Sequence, residues 1–294
     1  MKISLLISLL LLSTSNLFAS EALDSSSMKE IEAKVLAQGK KYGVKNVLTV
    51  FDIDNTLLAM PQNFGSDQWF GWQSKNCMGK SPLPKFCTTA NFGELLDIQG
   101  QIFSMSNMIP TEQATTSVIK NLQAKGFKVI ALTSRGYAFR NSTERALKNN
   151  GMWFVDSAIG PKHGYAGNFK PYSLKNPKRN GLTKSDIKKM GQKRPRSTSY
   201  MNGVYMTAGL DKGIMLKTLL HKTKSKFKAI IFADDHKKHT VRMQAILGAD
   251  SKIDLSTYRY GKIDPEVKAF HAGDKEASIQ AWNKLKEVTK VIFK

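Results

Sequence analysis

An apolar run that stops at two carboxylates is the feature that most limits how this chain can fold. Residues 47–51 read Val-Leu-Thr-Val-Phe, the composition of a strand buried on both faces, and Asp52, Ile53 and Asp54 follow directly. Because side chains alternate along an extended segment, Asp52 and Asp54 are expected to leave the same side of the chain. Two neighbouring carboxylates repel each other unless a cation or a shared proton compensates. The pattern favours a metal site, acid–base chemistry or both, and the alternative is a polar strand end that caps the next turn.

Further buried strands alternate with helices along the rest of the chain. Strands are predicted at 128–133, 153–159, 228–235 and about 253–258, and helices at 25–39, 110–126, about 136–150, 212–220, 236–247 and from about 272 onward. Strands that alternate with helices form βαβ units, in which the strands are parallel. The sequence therefore predicts an α/β fold with a Rossmann-like, mostly parallel sheet flanked by helices.

Two segments interrupt this alternation, and we expect both to be insertions that form a cap over the core. Residues 59–108 lose all periodicity and contain several aromatic residues, several prolines and both cysteines. Residues 160–207 include the spacing of a capping box at Thr183 and Asp186, and an Asn-Gly hairpin signal between 200 and 205. Insertions of this kind often carry specificity.

The first nineteen residues have the pattern of a secretory signal peptide. A basic start at Lys2 is followed by an apolar stretch over 3–12 and a polar segment that ends at Ala19. The alternative is an uncleaved membrane anchor, but the apolar stretch is shorter than the ~20 residues that span a bilayer. We therefore expect residues 1–19 to be removed and the mature chain, from Ser20, to work in the periplasm or outside a bacterial cell.

The chain contains only two cysteines, Cys77 and Cys87. Disulfides persist in the oxidising compartments that exported proteins enter, so we expect the two to pair. Closing so short a loop stabilises a fold by roughly 3 kcal/mol in the chain-entropy description. The alternative is two free thiols, and a zinc site is disfavoured because neither cysteine has a second cysteine or histidine at ligand spacing.

The formal net charge of the chain is +22. Part of this excess is local, because residues 161–200 contain eleven lysines and arginines and a single acid, Asp186. The segment could be a patch for a phosphorylated substrate, nucleic acid or an anionic envelope surface. The alternative is a generally basic protein with solvated lysines, since aromatic residues are sparse among these charges.

Polar residues end three of the predicted strands. Asp52 and Asp54 end the first, Thr133 ends the second, and Asp234 with Asp235 ends a third. In open parallel sheets the ligand crevice lies at the carboxyl ends of the strands. Residues that are nearly two hundred positions apart would then meet at one edge of the sheet.

These residues, taken in order, resemble the motifs of the haloacid dehalogenase (HAD) superfamily. The four matching segments are Asp52-Ile-Asp-Asn-Thr56, Leu132-Thr133, Lys212 before Gly213, and Asp234-Asp235. The resemblance covers nearly all of residues 20–294 and implies a HAD-like catalytic domain. It implies that Asp52 is a nucleophile that becomes an aspartyl-phosphate, and that Asp54 protonates the leaving group and then activates water. Asp54 also separates the chain from the dehalogenase and ion-pump branches, which lack that aspartate.

Magnesium is the cofactor that this resemblance and the donor chemistry imply. An anionic nucleophile can approach a phosphate monoester only if positive charge neutralises the site, and Mg²⁺ prefers oxygen ligands. Asp52, Asp234 and the backbone carbonyl of Asp54 are the expected ligands, whereas Asp235 is expected to orient a water or the lysine. His236 and His239, three apart on a predicted helix, could suggest a zinc pair, but the nearby aspartates already explain the site.

The phosphate itself is expected to contact Thr133, as a hydrogen-bond donor, and Lys212, as a positive charge at a helix start. The alternative for Lys212 is a surface lysine, with Lys217 as the next candidate. Arg135 and Arg140 either contact the substrate or lie solvated on a helix face.

Trp69 and Trp72 present a similar pair of alternatives. They either stack on a substrate ring or form the small core of the first insertion.

The sequence as a whole predicts an exported, magnesium-dependent phosphomonoester hydrolase that acts on a phosphorylated small molecule. The alternatives are a phosphotransferase and a catalytically silent module of the same fold that binds polyanions. No transmembrane segment is expected after removal of the signal peptide.

Overall fold

The structure, a computed structural model, describes residues 20–293. The predicted signal peptide, 1–19, lies outside the described residues. The strands are β1 Ser20–Ser25, β2 Val47–Phe51, β3 Leu58–Ala59, β4 Ile109–Pro110, β5 Lys128–Thr133, β6 Ser199–Met201, β7 Val204–Met206, β8 Ala229–Asp234 and β9 Asp254–Tyr260. The α-helices are α1 Met28–Tyr42, α2 Asp67–Asn76, α3 Phe92–Met105, α4 Thr115–Ala124, α5 Arg140–Asn149, α6 Lys184–Lys189, α7 Lys212–Thr223, α8 Lys237–Leu247, α9 Asp264–Ala272 and α10 Glu276–Ile292.

Seven of these strands form one sheet in the order β1-β9-β8-β2-β5-β7-β6. Every neighbouring pair is parallel except the hairpin β6–β7 at one edge. The prediction of a Rossmann-like, mostly parallel α/β sheet flanked by helices is confirmed. β2 lies at the centre, so the segment that carries Asp52 and Asp54 leaves the middle of the sheet.

Helices cover both faces of the sheet. Val47 and Phe51 of β2 pack in one apolar cluster with side chains of α1, α4 and α5. Leu48 and Val50 face the other side, where they share a cluster with α7 and α8. Burial of alternate residues on opposite faces explains why β2 is apolar throughout.

The predicted strand at 153–159 is wrong. These residues form turns and irregular chain instead, although Phe154 and Ile159 are buried. β7 takes the neighbouring edge of β5 from Ala131 onward, where Ala131 pairs with Val204, and Ser157 meets that edge at Val129, whose N–H donates to the Ser157 carbonyl oxygen at 3.2 Å. A buried apolar run can therefore fill the core as turns. The predicted closing helix is present as α10, but no helix was predicted at α9, which precedes it.

The first predicted insertion, residues 59–108, folds into α2, α3 and irregular chain with its own apolar cluster. Trp69 is fully buried in that cluster, and Trp72 packs against the rings of Phe86 and Phe270. For Trp69 the structure supports the small core, whereas Trp72 packs on that core and also lines a cleft. The predicted disulfide between Cys77 and Cys87 is present at the end of α2.

The second predicted insertion, residues 160–207, is only partly an insertion. Its capping box at Thr183 and Asp186 and its hairpin are present as predicted. The hairpin, however, adds β6 and β7 to the main sheet. These strands pair there because β5 would otherwise leave an unpaired edge. The segment therefore extends the core, and a description of it as a second cap needs correction.

Within residues 20–293, no helix combines the length and the apolar composition that crossing a bilayer requires.

Candidate active site

A buried lysine joins two carboxylates at the carboxyl edge of the sheet. Asp52 follows β2, Asp234 ends the adjacent parallel strand β8, and Lys212 is the first residue of α7. The Lys212 Nζ atom lies 2.6 Å from Asp52 Oδ1 and 2.6 Å from Asp234 Oδ2. Lys217, the other candidate lysine, points elsewhere and pairs with Asp186 at 2.8 Å. The structure therefore brings Lys212, and not Lys217, to the predicted site.

Electrostatics at this cluster indicates an excess of negative charge. Burial alone would lower the pKa of Lys212, but the charges of Asp234 and Asp52 outweigh it and raise that pKa. Burial also opposes ionisation of Asp234, yet Lys212 holds the pKa of Asp234 well below its usual value. The pKa of Asp52 is raised, chiefly by burial, with the charges of Asp234 and Asp235 adding to the effect. One lysine does not fully compensate this group of carboxylates.

The same carboxylates could hold a cation. Oxygen atoms of Asp52, Asp234 and Asp235 all lie within 4.8 Å of one another. Oxygen donors crowded around an uncompensated negative charge suit Mg²⁺. The sequence predicted Asp52, Asp234 and the backbone carbonyl of Asp54 as ligands and Asp235 outside them, whereas the structure brings the Asp235 carboxylate into the group with Asp52 and Asp234. Burial raises the pKa of Asp235 to about 6.

A histidine links this group to the first insertion. His236 Nδ1 lies 3.2 Å from Asp235 Oδ2, and its Nε2 lies 3.2 Å from Asp67 Oδ2, at the first residue of α2. Hydrogen bonds to Asp235 and Asp67 raise the pKa of His236 to about 11. The imidazolium therefore ties a residue of the first insertion to the edge of β8. Nothing in the sequence pattern pointed to Asp67, because a local pattern does not record where α2 lies relative to β8.

His239, the other histidine considered as a metal ligand, contacts a different carboxylate. His239 Nδ1 lies 3.3 Å from Asp234 Oδ2, and burial lowers the pKa of this histidine. His236 and His239 thus face Asp235 and Asp234 respectively. The arrangement gives no support to a zinc site shared by the two histidines.

Asp54 is held by an arginine through two hydrogen bonds. Arg135 Nε donates to Asp54 Oδ2 at 2.9 Å, and Nη2 donates to Oδ1 at 2.7 Å. The arginine is itself fixed, because Nη1 donates to Thr143 Oγ1 at 2.9 Å and the guanidinium lies 3.7 Å from the ring centre of Phe103 in α3. Arg135 is therefore a buried partner of Asp54 and does not lie solvated on a helix face.

Arg140, the second of the two arginines, links helix α5 to the β6–β7 hairpin. It pairs with Glu144 at 2.8 Å and donates to the Ser199 and Val204 carbonyl oxygens of the hairpin. These bonds fasten α5 to the edge of the sheet. Arg140 contacts none of the predicted site residues in the hydrogen bonds that it forms.

Two threonines connect the strand ends. Thr133, at the end of β5, is buried, and its Oγ1 accepts the backbone N–H of Arg135 at 3.1 Å. Thr56 Oγ1 accepts the backbone N–H of Asp235 at 3.0 Å, which joins the loop after β2 to the end of β8. Thr133 lies on the strand next to β2, at the edge where the sequence predicted it.

A cleft of about 390 Å³ adjoins the carboxylate group. Its walls are α2, the start of α8 and α9, and it reaches the carboxylates through Asp235. The lining residues are Asn55, Asp67, Gln68, Gly71, Trp72, Lys75, Asn76, Asp235, His236, Arg259, Asp264, Val267 and His271. The cleft therefore lies between the first insertion and the C-terminal part of the chain, and residues 160–207 contribute none of these lining side chains.

Sequence comparison assigns this arrangement to a family without assigning it a chemistry. Residues 24–291 match the family model described as "Protein of unknown function (DUF2608)". No protein with a curated description matches the chain. Since the match spans most of its length, the chain belongs to the DUF2608 family.

Proposed function

We propose that this protein is a magnesium-dependent phosphomonoester hydrolase of the haloacid dehalogenase type that works through an aspartyl-phosphate. One observation carries the proposal: Lys212 lies 2.6 Å from both Asp52 and Asp234 at the carboxyl edge of a parallel sheet. A cation fixed between two buried carboxylates, beside a cleft, suits the transfer of a dianionic phosphoryl group.

Asp52 is the nucleophile in this proposal. One of its carboxylate oxygens attacks phosphorus, the bond from phosphorus to the leaving oxygen breaks, and the phosphoryl group stays on Asp52. Lys212 offsets the negative charge that the nucleophile and the phosphoryl oxygens bring together. Thr133, at the end of the neighbouring strand, donates its hydroxyl hydrogen to a phosphoryl oxygen.

Asp54 moves the protons. In its protonated form, with one oxygen released from Arg135, it gives a proton to the departing oxygen, and as the carboxylate it later takes one from the water that hydrolyses the aspartyl-phosphate. Arg135 is a positioning residue in this scheme, because its two hydrogen bonds fix the Asp54 carboxylate in one orientation. The stacking of Phe103 on Arg135 makes the first insertion a part of that support.

The residues that would hold magnesium are Asp52 and Asp234, with Asp235 close enough to take part. The incomplete compensation of these carboxylates by Lys212 fits a divalent cation with a preference for oxygen. When bound, the ion would neutralise charge on the phosphoryl oxygens. Asp235 also keeps one oxygen on His236, which fixes the orientation of its carboxylate.

The cleft favours a small phosphorylated substrate. Its volume, about 390 Å³, is in the lower part of the range for small-molecule pockets. Amide side chains from Asn55, Gln68 and Asn76 and the ring of Trp72 line it, so a polar leaving group is expected there.

We also propose that the protein works in the periplasm or outside the cell. The disulfide between Cys77 and Cys87 supports an oxidising compartment. The basic and apolar pattern of residues 1–19 is the sequence feature that supports export.

The test is hydrolysis of a generic aryl phosphate with magnesium, with a chelator, and by the variant Asp52→Asn. We expect magnesium-dependent release of phosphate that the chelator and the substitution both abolish. Formation of a phosphorylated alcohol when an alcohol is added would assign the chain to phosphotransfer instead. Absence of turnover under all metal conditions would favour a catalytically silent module and overturn the proposal.

A further inference from the structure

Residues 161–196 carry an unusual concentration of exposed positive charge. All of the lysines and arginines in this segment are exposed: Lys162, Lys170, Lys175, Lys178, Arg179, Lys184, Lys188, Lys189, Lys193, Arg194 and Arg196. We call these eleven side chains the basic surface. Their charge lies on the outside of the protein, and none of these side chains is buried in the core.

The basic surface has almost no negative charge to balance it. The single acid of the segment, Asp186, is 4% exposed. Its carboxylate accepts the Thr183 backbone N–H at 2.7 Å and pairs with Lys217 at 2.8 Å, so it is neutralised from within. Among residues 20–293, Lys162 is the one member of the basic surface within ion-pair distance of a carboxylate, that of Asp156. Both of those side chains are exposed, and such pairs contribute little.

The segment folds back on itself and is held to the core. Phe169 pairs with Thr198, and the Tyr172 hydroxyl donates to the Lys193 carbonyl oxygen at 2.9 Å. The apolar side chains of the segment face inward, where Tyr172, Leu182 and Met190 join the cluster under α7 and α8. One side of the segment is therefore anchored to the core while the other presents its charge to solvent.

We propose that the basic surface binds the anionic phospholipid headgroups of a bilayer. Lysines and arginines that no carboxylate neutralises are attracted to an anionic membrane surface with roughly additive energies. The attraction needs no shaped pocket, which agrees with a surface made of exposed side chains. The inference is independent of the proposed function, because the basic surface supplies no lining residue of the cleft.

Lipid fits these observations better than single-stranded nucleic acid does. Proteins that bind single strands stack bases on exposed aromatic rings. The aromatic residues within and beside this segment, Tyr165, Phe169, Tyr172 and Tyr200, all pack against the core cluster. Eight of the eleven cations are lysines, which act as point charges without the planar geometry that arginine uses for recognition.

The test is sedimentation of the purified full chain with vesicles of phosphatidylglycerol mixed with phosphatidylcholine, and with vesicles of phosphatidylcholine alone. The test variant removes four side chains that form no hydrogen bond or ion pair among the described residues: Lys178→Gln, Lys184→Gln, Lys188→Gln and Lys193→Gln. The matched control removes the same charge elsewhere, from four other exposed lysines: Lys45→Gln, Lys125→Gln, Lys226→Gln and Lys268→Gln.

We expect salt-sensitive binding to the mixed vesicles only. The test variant should bind at least about a hundredfold more weakly, since each lysine near an anionic surface contributes roughly fivefold. The control variant should keep most of its binding, and both variants should keep the thermal midpoint of the parent. Equal loss in both variants would mean that net charge alone drives binding and would overturn the proposal. The proposal would also be overturned if the chain bound mixed-sequence oligonucleotides but did not bind the vesicles.

Discussion

The two segments that the sequence set apart from the α/β core use charge in opposite ways. The first insertion, residues 59–108, places Asp67 against His236 and the ring of Phe103 on Arg135. Its charged and aromatic side chains therefore contact residues at the carboxyl edge of the sheet. The second, residues 160–207, exposes eleven cations, and Lys217 of α7 neutralises its only acid. The first segment lines the cleft, and the second presents its charge to solvent. Catalysis and surface attachment should therefore be separable by mutation.

The variant Asp52→Asn is expected to give the largest difference between its effect on turnover and its effect on vesicle binding. Turnover of an aryl phosphate should fall at least about a thousandfold, because the amide cannot form the aspartyl-phosphate. Vesicle binding should not change. The two measurements are made on the same preparation, with circular dichroism as the control for folding. A variant that loses both properties would show that the two regions are coupled.

A smaller effect on turnover is expected from Arg135→Gln. Asp54 would lose both hydrogen bonds that orient it, and misplacement of a catalytic group by about 1 Å can cost roughly a hundredfold in rate. The decrease should appear in kcat and not in KM, and Arg135→Lys should restore part of it. Arg140→Gln is the matched control, because it weakens the hairpin contact and should change stability without lowering kcat. Equal kcat in the Arg135 variants and the parent would refute the positioning role.

Removal of the disulfide should affect the first insertion more than the second. The double variant Cys77→Ser and Cys87→Ser should lose roughly 3 kcal/mol of stability for a loop of this length. Hydrogen exchange should accelerate in α2 and α3 and remain slow in α6 and the hairpin. Uniform acceleration over both segments would argue that they unfold as one unit.

The smallest effect is expected from Asp186→Asn in the second segment, and it should depend on pH. Burial opposes ionisation of Asp186, but hydrogen bonds from Lys217 and Thr183 outweigh it and lower its pKa from 3.8. Because the pKa is lower in the folded state, the ionised group stabilises the fold above 3.8, and that contribution disappears as the pH falls through the folded value.

Urea unfolding measures this effect directly. At pH 7 the variant should be less stable than the parent by about 1 kcal/mol, the usual contribution of a helix cap. The difference should shrink as the pH drops below 4, while turnover at pH 7 remains that of the parent. A difference that is constant with pH would exclude the ionised carboxylate as its source.

Much of the core could be predicted because hydrophobic periodicity records burial. The runs at β2, β5 and β8 are apolar on both faces, and their polar ends mark one edge of the sheet. Asp52, Lys212 and Asp234 meet there, and Thr133 ends β5 on the strand next to β2, as expected for parallel strands. The same reasoning gave a strand at 153–159, where burial was inferred correctly but conformation was not.

The contacts that the insertions make could not be predicted from the sequence. Asp67 reaches His236 only through the path of irregular chain that precedes α2, and no periodicity records that path. Arg135 follows a strand end, which suggested proximity to the site, but its partner Asp54 and its support by Phe103 depend on the packing of α3. Contacts of this kind depend on how helices pack in three dimensions, and a local sequence pattern does not specify that packing.

The central claim is that Asp52 carries the phosphoryl group during turnover. The most direct measurement is mass spectrometry of the acid-quenched variant Asp54→Asn after brief reaction with an aryl phosphate and magnesium. We expect a peptide that contains Asp52 and has gained one phosphoryl group, and we expect no such gain when Asp52→Asn is added to the same background. Rapid turnover by the parent protein, with no phosphorylated Asp52 in either the parent or the Asp54→Asn variant, would contradict it.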